Sequence, residues 1–139
     1  MQKRKRFPGR FESLEKISLF VKEAAAAAGL DEYAAYAVEL AVDEACSNII
    51  EHAYGAENKG EIDCTCEVRA DQLTIILRDR GRTFDPDQVP EVDTTLPLEE
   101  RRQGGAGVFL MRKVMDEVRY EFTPGGNILT LVKKKQGQV

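Results

Sequence analysis

Apolar positions in the first half of the chain recur at helical spacing, and after Gly60 they recur at every second residue. Leu14, Ile17, Val21, Ala24 and Ala28 form one stripe, which predicts a helix with Ser13 as its N-cap and Gly29 as its stop. Val38, Ala41, Val42, Ala45, Ile49 and Ala53 form a second stripe, on a longer helix that begins after Asp31 and ends at Gly55. Ile62, Cys64, Cys66 and Val68 then alternate with Glu61, Asp63, Thr65 and Glu67, the pattern of a strand with one wet face. A turn at Ala70-Asp71 leads into a second strand, Leu73 to Arg78, and the two are expected to pair as a hairpin. Val118, Tyr120 and Phe122 alternate again, and Ile128 to Lys133 forms a last strand beyond the turn at Thr123-Pro124-Gly125-Gly126-Asn127. Gly107 to Met115 reads as a short helix with Val108, Met111 and Met115 on one face. From Asp85 to Gly104 there is no period, and three prolines interrupt the stretch; a loop of that length in a compact domain is usually functional or disordered.

Helices gathered on one side of a sheet built from hairpins predict an α/β two-layer sandwich, with a mixed, mainly antiparallel sheet and helices on one face. At 139 residues the expectation is a single domain with one core. A formal net charge of −4 argues against nucleic acid as a direct partner. The basic cluster Lys3, Arg4, Lys5, Arg6 reads as a solvated strand end. It is followed by Phe7, Pro8 and Gly9 rather than an apolar run, so no secretory signal is expected, and no segment approaches the roughly 20 apolar residues that span a bilayer. Three cysteines suit a reducing cytoplasm, and Cys64 and Cys66 are expected to share one strand face rather than to ligate metal.

Three short motifs carry candidate chemistry. In Asp43-Glu44-Ala45-Cys46-Ser47-Asn48, Glu44 and Asn48 are four residues apart and project from one helix face. A carboxamide oxygen can ligate a hard Mg²⁺, and a carboxylate beside it can orient or deprotonate a nucleophile; the pair also fits the polar edge of an amphipathic helix. In Leu77-Arg78-Asp79-Arg80-Gly81, an acidic residue ends an apolar strand two positions before a glycine. That carboxylate could accept from an adenine amino group, with Gly81 letting the base approach the backbone, or the segment could be an ordinary Asp-x-Gly turn. Gln103-Gly104-Gly105-Ala106-Gly107 opens the short helix, and glycines there expose backbone N–H groups to an anion, or form a hinge. Arg101 and Arg102 could reach phosphates or remain solvated.

In this order and at these spacings the motifs resemble the N, G1 and G2 boxes of the GHKL superfamily, the Bergerat-fold ATPases and kinases. The resemblance covers nearly the whole chain and is closest to the small anti-sigma-factor serine kinases of partner-switching pathways. It implies Glu44 as general base, Asn48 as Mg²⁺ ligand, Asp79 on the adenine amino group and Gly81 beneath the base. It implies Gly104, Gly105 and Gly107 along the triphosphate, and an ATP lid from Asp85 to Gly104. Thr83 stands where relatives often carry a second glycine, although Thr83-Phe84-Asp85-Pro86 is typical of the small-kinase branch; Asn127 stands where many have threonine.

Chain length separates this branch from its relatives. Sensor histidine kinases carry a further domain with the phosphoacceptor histidine, and the lone His52 falls inside the nucleotide-binding helix, where a structural role is expected. The resemblance therefore implies a cytoplasmic protein serine kinase using ATP and Mg²⁺. It further implies a STAS-type anti-sigma-factor antagonist as substrate, a sigma factor as competing partner, and a homodimer. The alternative is a binding module that uses ATP to set its shape and inhibits a partner by occupancy, without phosphoryl transfer.

Overall fold

The computed structural model describes residues 1–86 and 107–135. Its elements are β1 (Gln2–Pro8), α1 (Ser13–Ala27), α2 (Glu32–Asn48) continued by a π-helical segment (Ile49–Tyr54), β2 (Glu61–Val68), β3 (Gln72–Asp79), α3 (Gly107–Val114), β4 (Glu117–Thr123) and β5 (Gly126–Lys134). The strands form one sheet in the order β1-β2-β3-β5-β4. Every pairing among the described strands is antiparallel, which narrows the mixed sheet expected from the sequence.

Alternation sorts the sheet into two faces. Phe7, Ile62, Cys64, Cys66, Leu73, Ile75, Leu77, Leu129 and Leu131 share one core with residues of all three helices. The expected helical stripes supply the other side: Ile17, Val21, Val38, Ala41, Val42, Ala45, Ile49, Ala53 and Met111 are all buried. The opposite face carries Arg4, Arg6, Asp63, Thr65, Thr74, Arg78 and Thr130. The helices cover the apolar face, while the opposite face buries mainly polar residues such as Thr65 and Thr130.

Local signals account for most of the boundaries. Asp31 caps α2, its carboxylate accepting from the Ala34 N–H at 2.7 Å. Beyond α1, Gly29 N–H donates to the Ala26 carbonyl at 3.0 Å and Leu30 N–H to that of Ala25 at 3.1 Å, the paired bonds of a Schellman stop. Ser13 does not cap α1, contrary to expectation. It is buried inside the helix, and Glu12 holds the cap position without a side-chain bond. The preceding turn substitutes for the cap, since the Ser13 and Leu14 amides donate to the Arg10 and Phe11 carbonyls.

Two features lie beyond local pattern. The basic cluster belongs to a seven-residue edge strand, whose Lys3, Arg4, Lys5 and Arg6 are exposed while Phe7 alone enters the core. Charged side chains on an edge discourage further strand pairing. The long helix does reach Gly55, but its last turn widens to π geometry, and Gly55 follows at φ 81°. At the far end of the sheet, the Lys133 ammonium donates to the Val114 carbonyl at 2.6 Å, closing the C-terminus of α3.

The capping bond gives a direct test. Asp31→Ala should cost about 1 kcal/mol, a loss read as a lower urea midpoint with unchanged m-value. An unchanged midpoint would mean that packing alone starts α2.

Candidate functional site

Glu44 and Asn48 sit on the last two turns of α2, just before the π-helical segment. Asn48 is 3% exposed and Glu44 half-buried. Glu44 Oε2 and Asn48 Nδ2 are buried with no hydrogen-bond partner among the described residues. Unmatched buried polar atoms are costly, and two on neighbouring turns make this helix face a candidate site for a polar ligand. Burial raises the Glu44 carboxyl above the usual carboxylate value, and the adjacent charges of Asp43 and Glu51 raise it further.

The helix end is fastened to the end of β3. The Arg82 amide donates to the Ala53 carbonyl at 2.9 Å, and Arg82 Nε donates to the His52 carbonyl at 2.9 Å. These bonds occupy two carbonyls that the last turn of a helix leaves free. Tyr54 adds a third tie: its hydroxyl donates to the Glu61 carbonyl at 2.5 Å and accepts from the Arg80 amide at 3.0 Å. Gly81 is required for this approach, since a Cβ there would lie 2.6 Å from the Ala53 carbonyl carbon and oxygen. In the described structure, Gly81 therefore meets the helix backbone.

Asp79 ends β3 on the helix-bearing face, opposite Asn127 of β5, and is 6% exposed. Its Oδ1 accepts from the Gly81 amide at 2.8 Å and from Asn127 Nδ2 at 2.9 Å. Burial raises the Asp79 carboxyl above its ordinary value, while the bonds from Gly81 and Asn127 pull the other way. Beside this pair stands an aromatic group. Tyr120 and Phe122 stack with centroids 5.8 Å apart, and Phe84 meets Phe122 edge-on at 6.3 Å and His52 at 5.9 Å.

The structure thus ties the turn that holds Asp79 and Gly81 to the end of the helix that carries Glu44 and Asn48. Gly107 opens α3, as the glycine motif predicted. Gly104, Gly105, Arg101, Arg102 and the expected lid beyond Pro86 lie outside the described residues. Tyr54 and Arg82 escaped sequence reasoning because their work is done through backbone carbonyls; a tyrosine directly before the helix-ending Gly55 was the one available signal. A cavity of about 520 Å³ opens around Arg4, Arg6, Asp63 and Arg78 and reaches the strand ends at Asp79 and Asn127, while including neither Glu44 nor Asn48.

The donor set fits a magnesium-bound polyphosphate better than a metal held by protein alone. Among the described residues no group of three or more His, Cys, Asp or Glu side chains could hold a metal. Mg²⁺ on nucleotides takes only one or two protein ligands, with phosphates and waters completing its shell. The two ends of an asparagine amide exchange by a half-turn, so the buried Asn48 amide can present its oxygen to such an ion.

Comparisons with known proteins bear on the family and the fold. Serine-protein kinase RsbW of Bacillus velezensis is 37% identical over 92 residues, covering 63% of this chain and 58% of its own. The RsbW kinase of Halalkalibacterium halodurans is 32% identical over 100 residues, covering 69% and 60%. The chain thus spans well under two thirds of the length of these curated relatives. Among solved structures, the RsbU and RsbW domains of a Mycobacterium tuberculosis protein match 96% of this chain and 32% of that one, with TM-score 0.68 at 17% identity. The catalytic domain of histidine kinase ThkA matches 96% and 97%, with TM-score 0.54 at 13% identity, and these two likenesses support the fold. The family model for the histidine kinase-like ATPase domain matches residues 7–133. That match runs from inside β1 to the last residues of β5, and the chain belongs to the histidine kinase-like ATPase domain family.

Proposed function

We propose that this chain is an ATP-dependent protein serine kinase that also acts as an anti-sigma factor. Its substrate in this reading is a serine of a STAS-type antagonist, a sigma factor is the competing partner, and the working form is a homodimer. The observation that carries the reading is the pair of unpartnered buried atoms on Glu44 and Asn48, on a helix locked to the strand that bears Asp79. The relatives named as serine-protein kinases support it.

In this reading Asp79 accepts from the adenine amino group, beside the aromatic side chains of Phe84, Tyr120 and Phe122. Asn48 would hold Mg²⁺, which supplies charge neutralisation at the phosphates. Gly104, Gly105 and Gly107 would offer backbone N–H groups to the triphosphate, with the dipole of α3 behind them. Glu44 takes the proton of the partner's serine hydroxyl as that oxygen attacks the γ-phosphorus. The bond between the γ-phosphorus and its bridging oxygen breaks, and ADP leaves with the electron pair. The raised Glu44 carboxyl suits a base, because proton affinity nearer the working pH strengthens its pull on the hydroxyl proton.

Base choice tests Asp79. A carboxylate accepts but does not donate, so ATP should outcompete GTP by about 10–100-fold. Competition against a fluorescent ATP analogue reads this ratio, and equal affinities would remove Asp79 from the base contact.

Glu44 can be tested for activity and stability in one variant. Glu44→Gln should lower phosphoryl transfer to a partner serine on the order of 10²–10⁴-fold while leaving ATP affinity nearly unchanged. Asn48→Ala should instead weaken Mg²⁺-dependent ATP binding as well as transfer. Because the folded pKa of Glu44 is raised, its favourable contribution to folding is complete below the unfolded value and is lost as pH rises through the folded one. Glu44→Gln should therefore gain stability over the parent at about pH 7 and lose that gain near pH 4. Parent-level transfer by Glu44→Gln would reduce Glu44 to a helix-surface carboxylate. A parent that binds its partner and MgATP without phosphorylating it would favour inhibition by occupancy.

A further inference from the structure

Asn127 is 4% exposed and faces Asp79 directly across the β3–β5 pairing. Its side-chain nitrogen uses both hydrogens, one on Asp79 Oδ1 at 2.9 Å and one on the Arg82 carbonyl at 3.0 Å. Two acceptors fix the direction of the amide, because a half-turn would set its oxygen against both. The other end of the amide, Oδ1, is buried without a partner among the described residues. The side chain therefore forgoes one bond to keep two on Asp79 and its following turn.

We propose that Asn127 is a positioning residue for nucleotide recognition: by holding Asp79 Oδ1, it leaves Oδ2 as the acceptor presented to the base. This rests on the reading of Asp79 as the base-binding carboxylate. Oδ1 already receives two donors, Gly81 N–H and Asn127 Nδ2, whereas no donor among the described residues reaches Oδ2. The same amide joins three segments, namely the end of β3, the turn at Arg82 and the start of β5. Gly126 makes the approach possible: at φ 137°, any Cβ would collide with the Asp79 carbonyl oxygen.

The electrostatics agree. Burial favours protonation of Asp79, which would turn an acceptor into a donor, and the Asn127 bond opposes it. Around Asp79, the π-helical segment contributes Tyr54, whose phenol is raised above its ordinary value chiefly by burial and further by the charges of Asp79 and Glu61. Arg78 and Arg80 flank Asp79 in sequence, Arg82 follows in the turn, and β5 offers only the neutral Gly126 and Ile128 beside Asn127.

Nuclear magnetic resonance titration tests this in the unaltered chain. The Asn127 side-chain amide protons should shift with the same midpoint as the Asp79 carboxyl carbon, and an amide that ignores that titration would overturn the role. In Asn127→Ala the Asp79 midpoint should rise, ATP affinity at neutral pH should fall about tenfold, and the acid loss of ATP binding should begin at higher pH. Asn127→Asp should raise the midpoint further, because two adjacent carboxylates cannot both ionise freely. An equal loss of affinity at every pH with an unmoved Asp79 midpoint would reduce Asn127 to a packing residue. Failure of the unaltered chain to bind ATP would overturn the nucleotide reading itself, which the amide titration distinguishes from failure of Asn127 alone.

Discussion

Two carbonyls at the end of the long helix, those of His52 and Ala53, are taken by the backbone and side chain of Arg82. On that capture depends the relation between the α2 face carrying Glu44 and Asn48 and the strand end carrying Asp79. A helix C-terminus offers acceptors that solvent would otherwise satisfy, so fastening it to a strand exchanges water for a fixed geometry. Gly81 supplies the clearance and Tyr54 a second tether through Arg80 and Glu61. The π-helical winding belongs to the same junction, since it is this widened turn whose carbonyls face β3.

Unmet buried polar atoms occur at the candidate site, and also at Thr65 Oγ1 and Arg10 Nε away from it. Hydrophobic side chains and alanines fill the space between sheet and helices, yet Glu44, Asn48 and Asn127 each hold a buried atom with no partner among the described residues. Such atoms lower stability in the isolated chain, and a polar ligand that binds them offsets that cost. The proposed nucleotide, magnesium ion and serine hydroxyl are groups of that kind. The membership of the chain in an ATPase family and the kinase names of its relatives point in the same direction.

Asp79 shows how a carboxylate can be buried and still serve as an acceptor. Its environment pushes toward the neutral acid, and two donors on one oxygen push back. The result is an asymmetric group with one oxygen committed to the fold. Asn127 is one of those donors, which gives a physical meaning to a residue where threonine was expected from the resemblance.

Much of this was legible along the chain because it is local. Period 3.6 located Ile17, Val21, Val38, Val42 and Met111 in the core, and period 2 located Ile62, Cys64 and Cys66. Asp31 and Gly29 ended their helices through bonds spanning a few residues. The candidate carboxylates were visible only as motifs, since nothing in spacing alone distinguishes Glu44 from an ordinary polar helix edge. Only the tertiary structure decided what depends on distant partners. The basic N-terminal segment became an edge strand because β2 was there to pair with it, and Ser13 lost its capping role to a turn that buried it. Gly81 proved to need its bareness for a helix carbonyl 28 residues earlier in the chain, and Asn127 for a carboxylate 48 residues away. Periodicity records which side of an element is apolar, but a hydrogen bond between two element ends exists only after packing has brought them together.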